Sequence, residues 1–147
     1  MFRLSKKVEY GILSMQYLAD KEEVLVSAKE MSESLEISSE FLSKTLQLLM
    51  KKGLVISQKG IKGGYLLSKP SNEISMSDII YALDSKPELV GCNGDNGEDC
   101  DRKDNCTIRK PLEILQIKLN DLFELTKLSE LKSNENKFVK IDLANVK

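Results

Sequence analysis

Ser38-Ser-Glu-Phe-Leu-Ser-Lys-Thr-Leu-Gln-Leu-Leu-Met-Lys-Lys-Gly53, followed by Leu54-Val-Ile56, a Lys/Gly loop over 58–64 and Tyr65-Leu-Leu67, is the stretch that decides the fold. Ser38 or Ser39 supplies a side-chain oxygen for a helix start, and Gly53 after Lys51-Lys52 supplies the stop. Between them Leu42, Leu46 and Leu49, helped by Phe41 and Leu48, make one apolar face. Glu40, Ser43, Lys44, Gln47 and Lys51 make a polar one. The β-branched run, the glycine-rich loop and the second short strand then predict a β-hairpin. A helix with a polar stripe followed by such a hairpin reads as the second half of a winged helix-turn-helix, which can lay that helix into a DNA major groove.

Upstream, Val8, Ile12, Met15 and Ala19, flanked by Gly11 and Leu18, repeat at the helical period and predict a first helix over 5–19. Ser27-Ala-Lys-Glu30 has capping-box spacing and opens a second helix running to about Leu35, with a break at Glu36 and Ile37. Downstream, Ser75-Met-Ser-Asp78 begins a brief helix through Leu83. Pro111 sits where a first helical turn tolerates it, and Leu112, Leu115, Leu119, Leu122 and Phe123 trace a coiled-coil-like seam. A lone long helix cannot bury that seam, so it packs on the first helix or on a twin from a second subunit. The predicted fold class is mainly α with a small β-hairpin: a winged helix-turn-helix over 1–83, a cysteine-bearing loop over 84–106, a dimerisation helix region over 107–131 and a polar tail over 132–147.

The net charge of -1 conceals an uneven distribution: between Phe41 and Lys69 stand six lysines and no acid. A one-sign block is often only a solvated face, but on this scaffold it marks a phosphate-binding surface. Ser38, Glu40, Ser43, Lys44 and Gln47 are the predicted major-groove residues, and Lys59 and Lys62 among the glycines of the wing are placed to reach the minor groove. The start of the chain runs into an amphipathic stretch rather than an apolar block, and no segment approaches the roughly 18 apolar residues of a membrane span. A cytoplasmic protein with no membrane partner is therefore expected. Reduced thiols follow from that compartment. Cys92, Cys100 and Cys106, separated by seven and five residues in an acid-rich loop, read better as soft metal ligands than as a disulfide framework. Zinc is the weaker alternative, because the chain has no histidine to complete a tetrahedral site and lacks paired CxxC spacing. No nucleotide-binding fingerprint or acid-base pair points to an enzyme.

Phe2-Arg-Leu-Ser5, Glu9-Tyr10, Ile37-Ser-Ser-Glu-Phe-Leu42, Lys52-Gly-Leu-Val55, Lys59-Gly-Ile-Lys-Gly-Gly-Tyr-Leu66 and the cysteine loop ahead of a long helix occur in the order found in the Rrf2 family of bacterial transcription regulators. The chain resembles that family to about Leu131. The resemblance implies a homodimer that contacts a double-stranded DNA operator with the third helix and wing, and an iron-sulfur cluster, 2Fe-2S or 4Fe-4S, in the cysteine loop. Its members include cluster-biogenesis regulators, nitric-oxide sensors and iron-responsive repressors. Arg109 occupies the place where some cluster regulators carry a histidine ligand. The nitric-oxide-sensing branch uses a carboxylate from the first helix, and Glu9 stands at the matching position, where an acid in a first helical turn also has a simpler electrostatic explanation. Two functions follow as expectations. One is a regulator that senses redox state, iron-sulfur status or nitric oxide through the cluster. The alternative is a regulator of cysteine metabolism working by a thiol switch or a partner enzyme, without a cluster.

Overall fold

The computed structural model describes residues 3–84, 86–91, 102 and 105–132. Three helices come first: α1 (Lys6–Lys21), α2 (Ala28–Leu35) and α3 (Ser39–Lys51). The hairpin of β1 (Val55–Gln58) and β2 (Gly64–Leu67) follows, then a single 3-10 turn (Ser71–Glu73), α4 (Met76–Leu83), α5 (Arg109–Leu125) and a closing 3-10 turn (Leu128–Leu131). Each helix of the first half starts on a serine. Ser5 accepts from the Val8 N–H, Ser27 from Glu30 and Ser38 from Phe41.

The Ser27–Glu30 capping box is only half made. Glu30 turns away from the cap and accepts instead from the Tyr17 hydroxyl at 2.9 Å, which ties α2 to α1. The complete box belongs to α4, where Ser75 and Asp78 exchange both bonds. Between α2 and α3 the chain reverses at Glu36, whose left-handed backbone (φ 54) closes α2. Ser32 then fastens the turn by donating to the Ile37 carbonyl at 2.7 Å.

The core lies where α1, α3 and α4 converge, around Met15, Leu42, Leu46, Leu49, Ile79 and Ile80. Phe41 departs from the sequence expectation: it is 54% exposed, while Thr45 is buried on the inner face of α3 and donates its hydroxyl to the Phe41 carbonyl. The helical period puts Thr45 with Leu42 and Leu49, and one internal hydrogen bond lets a small polar group sit there. At Gly11, α1 meets α4 so closely that a Cβ would lie 1.9 Å from Leu83 Cδ1.

The segment after α5 returns to this body. Leu128, fully buried, donates its N–H to the Ile74 carbonyl at 2.8 Å, and the Met76 N–H donates to the Thr126 carbonyl at 2.9 Å. The Gln16 amide reaches the Leu131 carbonyl from α1. The far end of α5 is thereby stitched to the helical core. No helix among the described residues is long and apolar enough to cross a membrane.

Candidate nucleic-acid interface

The polar face of α3 is presented as the sequence predicts. Ser38, Glu40, Lys44 and Gln47 are exposed and Ser43 is half-buried. Three of these groups already have partners. Lys44 donates to Glu40 one turn earlier at 2.9 Å, and this contact holds the Glu40 carboxyl below the usual carboxylate range. Glu preceding Lys by four residues is the favourable order on a helix. Ser38 accepts from the Phe41 N–H, which leaves its own hydroxyl proton to donate outward.

The wing follows α3 directly. Its strands pair antiparallel in the register Val55 to Leu67 through Gln58 to Gly64. The loop end of the hairpin is held by Val26, which exchanges both backbone hydrogen bonds with Tyr65, at 3.0 and 2.8 Å. This pairing makes Gly64 a close-approach position: a Cβ there would lie 2.6 Å from the Val26 carbonyl oxygen. Gly63 is similarly committed, because its Cβ would fall 2.2 Å from the Gln58 carbonyl oxygen. Only Gly60, at φ 123, serves the tip by its conformational freedom. Lys59 and Lys62 flank that tip, both exposed. The hairpin is thus braced next to its loop and carries its charge at its tip.

Of the predicted sensor residues, Cys92 and Cys100 lie outside the described residues. Cys106 is half-buried, forms no disulfide and stands just ahead of α5. Its chemistry and placement suit a soft metal ligand. Glu9 is in the first turn of α1, half-exposed, with its carboxylate engaged by Lys6, whose ammonium is held above its ordinary pKa by that hydrogen bond. Arg109 pairs with Glu113 at 3.1 Å along α5. Gln116 was not anticipated by the sequence reading. Its amide accepts from the Leu89 N–H and donates to the Pro87 carbonyl, each at 2.8 Å, fastening the stem that leads to Cys92 onto α5. A glutamine on a helix carries no sequence mark of such a contact.

The outer surface of α5 remains apolar. Ile108, just ahead of it, and Ile114, Leu115, Ile117 and Leu125 are all at least half-exposed, and none of its residues is fully buried. Leu112, Leu119, Leu122 and Phe123 of the predicted seam are half-buried, whereas Leu115 faces out.

The family model described as Rrf2, iron-dependent transcriptional regulator, matches residues 4–134. The chain belongs to the Rrf2 family. It is therefore a DNA-binding transcriptional regulator and not an enzyme. Among Rrf2 relatives, the HTH-type transcriptional regulator IscR of Serratia proteamaculans is 31% identical, with 97% of this chain and 87% of that protein aligned. Two solved structures show the same mainly helical fold with a two-stranded hairpin. CymR, the global cysteine regulator of B. subtilis, superposes with a TM-score of 0.73 at 27% identity, over 90% of this chain and 98% of that one. IscR of T. potens gives 0.69 at 25% identity, over 88% and 85%.

Proposed function

We propose that this Rrf2 protein is a cytoplasmic homodimer that binds an operator through α3 and the wing, and that an iron-sulfur cluster in its cysteine loop sets DNA affinity. The observation that carries the reading is the Cys106 thiol, free and half-buried at the head of α5, in a loop whose other stem Gln116 binds to the same helix. Cys92, Cys100 and Cys106 would hold the cluster as thiolates, with Glu9 as the fourth ligand. When bound, the cluster supplies a centre that responds to oxidant, iron supply or nitric oxide.

The chain's own residues do the rest. The apolar outer face of α5 meets its counterpart in a second subunit, which fixes the separation of the two α3 helices. Ser43, Lys44 and Gln47 then face base edges, Ser38 supports a phosphate at the helix start, and Lys59 and Lys62 carry the wing against the backbone. Because residues 126–131 are stitched to α1 and α4, a shift of α5 is passed to the DNA-binding body. Residues 1–83 then act as the DNA-binding unit, 84–106 as the sensor loop and 107–131 as the dimer contact.

The likeness to a global cysteine regulator favours a second reading, in which the thiols act directly or a partner enzyme supplies the signal. Anaerobic purification with iron, sulfide and absorption analysis separates the two. A coloured protein that loses its chromophore on Cys92→Ala, Cys100→Ala or Cys106→Ala, with helicity retained, is expected. Colourless or zinc-loaded protein with all three thiols occupied overturns the cluster reading.

A further inference from the structure

Ile61 is the most exposed large apolar residue among those described, with 108% relative exposure. It occupies, with Lys62, the corner of the wing-tip turn that the Gly63 N–H closes onto the Gly60 carbonyl at 3.0 Å. Corners of tight turns favour glycine, proline, asparagine, aspartate and serine, so local backbone chemistry does not call for a β-branched apolar side chain there. Nor does packing: Ile61 is outside the core and outside the shell of side chains against it. What does surround it is charge of one sign, with Lys59 two residues before and Lys62 immediately after, in a segment without acids from 41 to 69.

Such a group gains nothing against a phosphate, which the lysines satisfy. It gains by leaving water between the deoxyribose walls of a minor groove, where apolar side chains are used as wedges at base steps. The hairpin can deliver it there. Val26 pairs with Tyr65, one residue into β2 from the loop, so the turn that carries Ile61 projects directly from a braced point, and the strands behind it are in continuous register. We infer that Ile61 is an apolar minor-groove contact, placed between the lysine arms of the wing, that makes this regulator favour operators lacking a guanine amine at the steps facing the wing. The inference rests on the reading of α3 and the wing as the DNA face. It adds a source of discrimination that two lysines alone do not provide, because the guanine N2 amine is the feature that separates G·C from A·T in the minor groove.

The test uses the full-length chain and a duplex recovered with it by binding-site selection. Placing G·C at the wing-facing steps of that duplex, and inosine·C at the same steps of a second copy, gives two duplexes that differ in the minor-groove amine and share the major-groove edge. The parent should bind the inosine duplex more tightly. Ile61→Ala should lose that preference and about tenfold in affinity, while keeping the parent's salt slope, as expected for lost apolar burial without a lost charge. Ile61→Val should restore most of both. Lys59→Ala should behave oppositely, flattening the slope by about one phosphate contact and keeping the inosine preference. Equal affinity and equal inosine response of Ile61→Ala and parent would overturn the inference. A lowered salt slope in Ile61→Ala would overturn it too, by showing that Ile61 only positions the lysines. A parent that selects no duplex removes the underlying reading of the DNA face, an outcome visible before any variant is made. Thermal midpoints of all variants should match, since Ile61 has no place in the core.

Discussion

Tyr10 of α1 meets Phe41 of α3 edge-on, with ring centroids 5.9 Å apart and planes at 79°. The contact joins the residue after Glu9 to the first turn of α3. Phe41 is more than half-exposed, so burial alone gives it little, and the ring pairing is the larger part of what it contributes. A double-mutant cycle of Tyr10→Leu and Phe41→Leu, followed by urea unfolding, should return a coupling of about 0.5–1.5 kcal/mol. Strictly additive losses would show that the two rings are neighbours without a shared energy.

Gly11 is the position at which α1 can least tolerate a side chain. The nearest atom to an added Cβ belongs to Leu83, which is itself buried and has little room to turn aside. Gly11→Ala should lower stability by about 1–3 kcal/mol despite the better helix propensity of alanine. Leu83→Val in the same chain should recover part of the loss, and Gly53→Ala cannot imitate this pattern, because no atom lies within contact range of its added Cβ. A Gly11→Ala protein with an unchanged unfolding midpoint would mean that the α1–α4 crossing yields more easily than its geometry indicates.

The sequence disclosed the elements whose cause is local. Ser5, Ser38 and Ser75 announce helix starts, the period of Val8, Met15 and Ala19 announces a buried face, and the Lys/Gly loop announces the wing. It did not disclose what depends on distant partners. Glu30 has the right spacing for a capping box but finds a better partner in Tyr17, which is thirteen residues away. Gly63 and Gly64 look like tip glycines and prove to be close-approach glycines, because Val26 adds itself to the hairpin from another segment. The return of Leu128 to Ile74 has the same character, since three scattered leucines near the end of an element state no direction. Of the candidate site, the exposure of the polar stripe of α3 and of the wing lysines was legible from the helical period and the Lys/Gly loop. The Gln116 clamp was not, because an amide on a helix face takes its meaning from the loop it meets.

Glu40 restrains Lys44 in the free protein, and this predicts how the DNA face responds to charge and acid. The pair depresses the Glu40 carboxyl, so its contribution is present above the ordinary carboxylate range and is lost only as pH falls through the lowered value. Near neutrality the pair is intact, and pH will not release the lysine. Glu40→Gln should release it and remove a negative charge from the groove-facing surface. Binding should tighten several-fold at low salt, with the dependence on salt steepened because a lysine charge is freed in the groove. Salt titrations of Glu40→Gln and of Glu40→Gln with Lys44→Ala check this, because the second change should return the slope to that of the parent. Parallel lines for Glu40→Gln and parent would show that the freed Lys44 charge adds nothing to the DNA contact.

Glu9 and Glu40 form the decisive comparison for the sensor. Both are acids in the first turn of a helix, and each is paired with a lysine on its own helix, Lys6 and Lys44. The favourable interaction of an acid with a helix start is common to both and predicts similar, small stability losses on change to alanine. A ligand role for Glu9 predicts an asymmetry on top of this. In anaerobically prepared protein, Glu9→Ala should change the visible absorption and shorten the lifetime of the chromophore in air, whereas Glu40→Ala should leave both unaltered. Removal of the iron by chelation should then erase the difference between the two variants while helicity persists, since α1 is capped by Ser5 and packed through Val8 and Met15 without help from the carboxylate. Glu9→Ala protein with the parent's spectrum and lifetime would return Glu9 to its helix-start role and leave the three cysteines to find another fourth ligand.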